Sequence, residues 1–201
     1  MSLPGKIVCI GRNYVEHIHE LGNAIPEQMV VFNKPSSSLS QHLYAQHQGD
    51  RLHYEAEICL RMTEQGLTQA AVGLDLTKRM LQSQLKQAGL PWERAKAFDG
   101  AVVMSDFIDI SEAQISQLGV RLLIDGKQVQ HGEVKHMMYP PLMAVQELAT
   151  FMALQPGDWV MTGTPKGVGE VHAGAEFTAQ LLLSQEVIVS QSWRARDNLT
   201  V

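Results

Sequence analysis

The sequence contains only two cysteines, Cys9 and Cys59, and each lies in an apolar run. This count favours two buried thiols in a reducing compartment over a disulfide. No apolar run approaches the roughly 20 residues that a membrane-spanning helix requires. The first residues also lack the charged and apolar regions of a secretion signal with its cleavage site. We therefore expect a cytoplasmic protein that does not associate with a membrane.

An excess of basic residues is absent as well. The 201 residues include 16 lysines and arginines against 21 aspartates and glutamates, which gives a net charge of -5. Such a chain lacks the basic surface of nucleic-acid-binding proteins, and we expect no nucleic-acid partner. No linker rich in Pro, Gly or Ser divides the sequence, and no internal repeat is visible. With 45% apolar residues, the chain is expected to form one globular domain spanning residues 1–201.

Two glutamates stand in a segment that otherwise has the pattern of a strand, LHYEAEICLRM at residues 52–62. Successive side chains of a strand point to opposite faces, so Glu55 and Glu57 share one face. Two neighbouring carboxylates repel each other unless a cation lies between them, and a divalent metal ion is the simplest candidate. The alternative is that this face of the strand is exposed to water.

A third carboxylate, Asp75, lies near the end of the next predicted strand, residues 70–76. Asp75 could cap the helix predicted at residues 77–88, but Thr77 is the better candidate for that cap. Asp75 is then free to face the two glutamates as a third oxygen ligand. Oxygen ligands favour the hard cations Mg²⁺ and Mn²⁺. Three carboxylates leave such an ion with open positions, which a 2-oxo acid can fill through its carboxylate and keto oxygens.

A short helix is predicted at residues 14–21, with Asn13 as its N-cap and Glu16 completing a capping box. His17 and Glu20 are three residues apart on this helix and therefore lie side by side. A carboxylate beside an imidazole selects its tautomer and raises its basicity, as a general base requires. The alternative is an ion pair on the surface of a polar helix.

Several other polar residues stand at positions that suit a site. Lys34 ends a predicted strand, where functional side chains often project. Lys96 lies in an apolar segment in which an unpaired ammonium group would be costly to bury, so it is either exposed or used in a site. Arg79 and Gln82 are three residues apart on the predicted helix. They either contact a carboxylate substrate or coat the surface.

The second half of the chain is mostly predicted strand. Asp125 and Gly126, between two strand-like runs, form the pattern of a tight hairpin, and the last segment forms a closing hairpin. Pro140 and Pro141 open a helix whose apolar residues recur at helical spacing. The glycine-rich loop at residues 162–170 allows close approach of the backbone to a ligand but lacks the spacing of a phosphate-binding loop. These patterns predict a strand-rich α+β fold with about three short helices.

Six ordered segments together resemble the fumarylacetoacetate hydrolase family, and they cover nearly the whole chain. The closest likeness is to the short, single-domain branch that includes acylpyruvate hydrolases, fumarylpyruvate hydrolases and oxaloacetate decarboxylases. The resemblance implies a mixed β-roll with a few short flanking helices, a single catalytic domain and a homodimer. The six segments are GRNYVEH at 11–17, KPSS at 34–37, HYEAE at 53–57, LDLTKRMLQ at 74–82, GLPWERAKAFD at 89–99 and TGTPKGVG at 162–169.

The resemblance also implies roles for individual residues, in three groups. The metal ligands, for Mg²⁺ or Mn²⁺, are Glu55, Glu57 and Asp75. The catalytic residues are His17, Glu20 and Lys96. The residues around the substrate are Arg12, Lys34, Arg79, Gln82 and Thr164.

The reaction expected first is hydrolysis of a carbon–carbon bond in an acylpyruvate, a small 2,4-dioxo acid, which releases pyruvate and a second acid. His17, oriented by Glu20, would activate water, while the metal ion and Lys96 stabilise the enolate. Decarboxylation of oxaloacetate and isomerisation of a dienoic hydroxy acid are alternatives that use the same enolate. A binding protein without turnover is a fourth interpretation, but it would not need an oriented base. Met80 and His136 depart from the family pattern and bear on substrate choice.

Overall fold

The computed structural model describes residues 3–199, which form sixteen strands and five short α-helices. Two 3-10 turns, Ser36–Ser38 and Val134–His136, connect some of these elements. The helices are α1 (Val15–Glu20), α2 (Arg79–Gln87), α3 (Glu93–Lys96), α4 (Glu112–Ile115) and α5 (Pro141–Leu148). The strands are β1 (Ile7–Gly11), β2 (Val30–Lys34), β3 (Tyr44–His47), β4 (Asp50–Arg51), β5 (His53–Tyr54), β6 (Ala56–Thr63), β7 (Gly66–Asp75), β8 (Val102–Met104), β9 (Ile108–Asp109), β10 (Leu118–Ile124), β11 (Lys127–Glu133), β12 (Trp159–Met161), β13 (Gly169–Glu170), β14 (Glu176–Leu183), β15 (Glu186–Arg194) and β16 (Arg196–Leu199).

The largest sheet has the strand order β2-β1-β12-β6-β7-β8, and β9 pairs with the far end of β7. Strands β1 and β12 are parallel, whereas the other pairs in this sheet are antiparallel, so the sheet is mixed. Its central strands are apolar on both faces because both faces are covered, as the run IVCIG of β1 illustrates. The predicted strand-rich α+β class with short flanking helices is confirmed.

A second, antiparallel sheet has the order β11-β10-β14-β15 and packs against the first. Apolar side chains from both sheets fill one core, with Ile58 and Val72 on one side and Val120 and Leu181 on the other. The turn between β10 and β11 has positive φ at both central residues, 49° at Asp125 and 79° at Gly126. Positive φ at both positions is the geometry that favours Asp-Gly in hairpins, so this prediction is confirmed.

The register of the large sheet brings four strand ends to one edge. Strands β1 and β12 run in parallel and end there, and β7 ends there too, whereas the antiparallel β6 begins at this edge. Residues that follow β1, β7 and β12 therefore meet residues at the start of β6, although they are far apart in the sequence. Helix α1 follows β1, and helix α2 follows β7, so both helices begin beside the same edge.

The predicted capping box of the first helix is wrong. Helix α1 begins after Tyr14, and no side chain caps it. The Asn13 amide instead donates hydrogen bonds to the backbone oxygens of Tyr139 and Thr162, at 2.9 and 2.8 Å, and its oxygen accepts one from Tyr139 N at 2.7 Å. Three hydrogen bonds between a buried amide and the backbone contribute more free energy than one local cap, because those backbone groups would otherwise be unsatisfied.

Both cysteines are buried free thiols, as predicted. Burial raises the pKa of Cys9 and of Cys59 well above the usual value, which keeps both thiols protonated. Among residues 3–199, no helix combines the length and the apolar character needed to cross a membrane.

Candidate metal centre and active site

Three carboxylates converge at the sheet edge described above. Glu55 lies in the break between β5 and β6, Glu57 belongs to β6, and Asp75 ends β7. One carboxylate oxygen from each lies within 4.8 Å of the others. The three residues are only 5%, 2% and 0% exposed, which rules out a strand face that is open to water. The sequence prediction that these residues lie together is confirmed.

The three carboxylates differ in how their charges are compensated. Burial alone raises the pKa of Glu55, but Lys96 and Arg79 outweigh it and hold that pKa well below its usual range. Burial raises the pKa of Glu57, and the charges of Asp75 and Glu55 raise it further. Glu57 forms no ion pair within residues 3–199 and accepts a hydrogen bond from Gly163 N at 2.8 Å. Its negative charge is the least compensated of the three.

The approach of Gly163 to Glu57 requires a glycine. Gly163 has a φ of 98°, and a Cβ there would lie 2.8 Å from Asn13 Cβ and 2.9 Å from Ile10 O. The glycine-rich loop thus brings its backbone to a metal-ligand candidate, so that the N–H group can donate to a buried carboxylate.

Lys96 is buried and contacts two of the carboxylates. Its ammonium group donates hydrogen bonds to Glu55 Oε2 at 2.9 Å, Asp75 Oδ2 at 2.7 Å and Thr77 Oγ1 at 2.6 Å, which uses all three N–H groups. Burial acts to lower the pKa of Lys96, but the two carboxylates outweigh it and raise that pKa. Lys96 is therefore a cation that orients the carboxylates.

Thr77 belongs to this cluster, whereas the sequence pattern predicts it as a helix cap. Helix α2 has Lys78 as its N-cap residue and no side-chain cap. The Thr77 hydroxyl donates to Glu55 Oε1 at 3.1 Å and accepts from Lys96. One feature of the sequence indicates that Thr77 lies in the site. Thr77 is two residues after Asp75, and alternate residues of an extended segment point to the same side.

Lys34 lies behind Asp75 rather than in the pocket. It is fully buried, and its Nζ donates to Ala101 O at 3.1 Å and to the backbone oxygen of Lys96. The same Nζ lies 2.8 Å from Asp75 Oδ1 without the geometry of a hydrogen bond, so Oδ1 is a buried oxygen with no hydrogen-bond donor. Lys34 thus supports a ligand candidate and does not line the cavity.

The predicted dyad forms on helix α1. His17 is 5% exposed, and its Nδ1 lies 3.2 Å from Glu20 Oε2. Gly167 N donates to both Glu20 oxygens, at 2.9 and 3.2 Å, and so holds the carboxylate in place. With Glu20 accepting, Nδ1 carries the proton and Nε2 is the free, basic nitrogen. The burial of His17 argues against a surface ion pair.

A cavity of about 40 Å³ joins the carboxylates to His17 of the dyad. Besides Glu55, Glu57 and Asp75, its lining includes six residues predicted from the sequence and seven that the sequence did not predict. The predicted ones are Arg12, His17, Arg79, Gln82, Lys96 and Thr164, and the others are Ile10, Gly11, Leu21, Asn23, Phe32, Lys86 and Trp92. Arg79 contacts Glu55 and donates to Gln82 Oε1 at 2.7 Å. Of the departures from the family pattern, Met80 is 76% exposed and does not line this cavity.

The donor set fits a hard divalent cation. Three buried carboxylates offer oxygen atoms, which Mg²⁺ and Mn²⁺ prefer. Glu57 has no cationic partner in the described part of the chain. A bound cation would satisfy this buried carboxylate at little structural cost.

Known proteins resemble the chain over most of its length. Oxaloacetate tautomerase YcgM of Escherichia coli (strain K12) is 36% identical over 189 residues, which cover 86% of each chain. The mitochondrial oxaloacetate tautomerase FAHD1 of Arabidopsis thaliana is 36% identical over 197 residues, which cover 90% of this chain and 88% of the relative. Because that relative is mitochondrial, a cytoplasmic location stays a prediction.

Solved structures agree with this similarity. The structure of fumarylpyruvate hydrolase from Pseudomonas aeruginosa in complex with Mn²⁺ and pyruvate superposes with a TM-score of 0.84 at 27% identity. The superposition covers 95% of this chain and 89% of that one. The family model described as fumarylacetoacetate (FAA) hydrolase C-terminal matches residues 6–191. The resemblance seen in the sequence is thereby confirmed, and the chain belongs to the fumarylacetoacetate hydrolase family.

Proposed function

We propose that this protein is an enzyme that depends on a divalent cation and interconverts the keto and enol forms of oxaloacetate. The observation that carries the proposal is a cavity that joins three buried carboxylates to the buried His17, whose Nδ1 pairs with Glu20. The two tautomerases that are 36% identical to the chain support oxaloacetate as the substrate. Tautomerisation was not among the reactions expected from the sequence.

Glu55, Glu57 and Asp75 would hold Mg²⁺ or Mn²⁺, and the Mn²⁺ of the fumarylpyruvate hydrolase structure supports this assignment. When bound, the cation would supply positive charge that stabilises the negative charge developing on a 2-oxo acid during enolisation. Lys96 and Thr77 hold Glu55 and Asp75 in their orientations, and Lys34 supports Asp75 from behind. These contacts preorganise the ligands before any ion arrives.

The dyad suits the proton transfer that tautomerisation requires. In the direction from keto to enol, His17 Nε2 takes a proton from the carbon beside the keto group, and the electron pair of that C–H bond moves toward the keto oxygen. The imidazolium then gives the proton to that oxygen, so no atom is gained or lost. Glu20, which Gly167 N holds, stabilises the imidazolium between the two transfers.

The charges around the cavity favour a substrate with two negative charges. Three buried carboxylates face three cationic side chains, Lys34, Lys96 and Arg79, so their formal charges cancel. A divalent cation would leave two positive charges in a poorly solvated site, which is unfavourable. Arg12 and Lys86, which also line the cavity, add two more positive charges. Oxaloacetate with both carboxylates ionised offsets more of this positive charge than a 2-oxo acid with one carboxylate does.

Hydrolysis of an acylpyruvate is the second candidate, and the dyad is the observation that favours it. A histidine with one basic nitrogen can activate water as well as accept a proton from carbon. The solved fumarylpyruvate hydrolase, with pyruvate in its complex, supports this reaction for the fold. Decarboxylation of oxaloacetate would need neither water nor the dyad. A binding protein without turnover is not favoured, because it would not need the oriented base.

The test is a comparison of substrates on purified protein with Mg²⁺ and with Mn²⁺. We expect the ultraviolet absorbance of enol-oxaloacetate to decay faster than in buffer, with a larger kcat/KM than for hydrolysis of acetylpyruvate or fumarylpyruvate. Release of CO₂ from oxaloacetate, measured in parallel, reports decarboxylation. A decay of the enol no faster than in buffer would overturn the proposal, and rapid hydrolysis of an acylpyruvate would then favour the second candidate.

A single catalytic domain over residues 1–201 and a homodimeric assembly are part of the same proposal, since both follow from the resemblance to the family. Size-exclusion chromatography with light scattering measures the mass of the assembly, and twice the 22.3 kDa of the chain is the expected value.

A further inference from the structure

Three polar residues meet at the mouth of the cavity, which is the end farther from the three carboxylates. Asn23 Oδ1 accepts a hydrogen bond from Lys86 Nζ at 2.7 Å and one from Arg12 Nη2 at 3.4 Å. All three residues line the cavity. Two cationic side chains are thus drawn to one neutral oxygen atom.

Neither cation has a carboxylate partner in the described part of the chain. Within residues 3–199, Arg12 and Lys86 form no ion pair, whereas Lys34, Arg79 and Lys96 each contact a carboxylate of the cluster. Burial lowers the pKa of Lys86, and the positive charges of Arg12 and Arg79 lower it further. Cations that repel each other and face a cavity form a site for an anion.

Local structure holds Arg12 in this position. Arg12 has a φ of 55°, in the left-handed region that is unfavourable for a non-glycine residue. Its guanidinium group lies 6.0 Å from the ring centre of Trp92, a distance typical of a cation–π contact. Such a backbone conformation persists only where the surroundings impose it, and here it places a cation at the mouth of the cavity.

Helix α2 links this mouth to the carboxylates. Arg79, at the start of the helix, contacts Glu55, and Lys86 lies seven residues later on the same face, about 10 Å along the axis. Helical side chains lean toward the N-terminus, so Lys86 leans toward the carboxylates. A ligand that is bound at the carboxylates by its 2-oxo acid group would therefore extend its other end toward Lys86 and Arg12.

We infer that Arg12 and Lys86, bridged by Asn23, bind the distal carboxylate of the substrate and select 2-oxo acids that carry a second anionic group. This inference rests on the proposed function, because it takes the 2-oxo acid group to be held at Glu55, Glu57 and Asp75. Lys86 and Asn23, which no sequence pattern predicts as site residues, would then determine specificity.

Two unreactive compounds isolate the distal carboxylate. N-oxalylglycine and N-ethyloxamate share one chelating head and one chain length, but the first ends in a carboxylate and the second in a methyl group. Calorimetry on the Mg²⁺-loaded protein measures the dissociation constant of each, without any need for turnover.

The variants are Lys86→Met, which keeps the length of the stem, Lys86→Arg, which keeps the charge, and Arg12→Gln. Lys127→Met removes an exposed lysine from the turn-side end of β11 and is the matched control.

The parent protein is expected to bind N-oxalylglycine about tenfold more tightly than N-ethyloxamate, since hydrogen bonds between charged groups contribute at least this much. Lys86→Met and Arg12→Gln should each remove most of this preference by weakening N-oxalylglycine alone. Lys86→Arg should retain it, and Lys127→Met should equal the parent.

Two results would overturn the inference, and only the second of them would also overturn the proposed function. If the parent binds both compounds but Lys86→Met keeps the full preference, the distal site lies elsewhere and the proposed function stands. If the Mg²⁺-loaded parent binds neither compound, the 2-oxo acid group is not held at the carboxylates. The proposed function then fails together with the inference.

Discussion

At the inner end of the cavity, the cations Lys34, Lys96 and Arg79 each contact a carboxylate, and strand ends of one sheet position the ligands. At the mouth, by contrast, Arg12 and Lys86 share only a neutral oxygen and come from a loop and a helix surface. Groups whose charges are already compensated are preorganised for chemistry. Groups without a partner are suited to recognising a charge that arrives from outside. The difference suggests that the inner end determines the reaction and the mouth determines the substrate.

The largest effect is expected from removing one charge at the inner end. Glu57→Gln keeps the shape of the side chain but removes the carboxylate that has no cationic partner, so Mg²⁺ and Mn²⁺ affinity should fall by at least about 100-fold. Titration calorimetry measures this, with Glu64→Gln, on the exposed turn after β6, as the matched control. Parental metal affinity in Glu57→Gln would remove Glu57 from the ligand set.

The second prediction separates proton transfer from metal binding at the inner end. His17→Ala should lower kcat for oxaloacetate tautomerisation by about 10²–10⁴, the usual contribution of a general base. Mg²⁺ affinity should change little, because within residues 3–199 His17 forms no hydrogen bond or ion pair with the three ligand carboxylates and acts on Glu55 only at longer range. His19→Ala, an exposed histidine on the same helix, is the control and should keep full activity. If His17→Ala remains as active as His19→Ala, the dyad plays no part in the reaction.

The third prediction concerns the buried support of the ligands. Lys34→Met should lower the free energy of unfolding by about 3 kcal/mol, because it removes one of the two cations beside the buried Asp75 and leaves only Lys96. Urea denaturation in the presence of a chelator measures this loss, and Lys127→Met is again the surface control. A loss no greater than that of the control would mean that Asp75 does not depend on Lys34.

The smallest effect is expected at the mouth. Trp92→Leu removes the ring beside Arg12, a contact worth about 0.5–1 kcal/mol where water is near. The KM for oxaloacetate should therefore rise by about threefold with kcat unchanged, since the inner end is not altered. Steady-state kinetics separates the two constants, and Phe151→Leu, an exposed aromatic outside the cavity, is the control. A fall in kcat instead would show that the mouth and the inner end are not independent.

Local patterns predicted several features correctly because those features depend on neighbouring residues. The turn at Asp125 and Gly126 follows from backbone sterics, and helix α5 begins at Pro141 as predicted. Glu55 and Glu57 face one cavity because the chain there is extended, and His17 meets Glu20 because they are three apart on a helix. Each of these contacts spans a few residues, so the period of the backbone is sufficient to predict it.

The errors arose where a distant partner outweighed a local preference. Asn13 and Thr77 have the side chains of helix caps, yet they bind groups that other segments bring to the sheet edge. Lys34 was expected beside the substrate, but the pairing of β2 with β1 buries it behind Asp75. In each case a buried polar group found several partners, which contribute more free energy than one exposed cap.

The sequence alone was therefore sufficient to identify the family, the strand-rich fold and the carboxylates and dyad, because these depend on local periodicity and ordered motifs. Only the tertiary structure showed that Asn23 and Lys86 meet at the mouth of the cavity. Asn23 follows α1, and Lys86 lies near the end of α2, so no spacing in the sequence relates them. Their contact depends on the sheet register that brings the ends of β1 and β7 to one edge, and that register results from packing over the whole core.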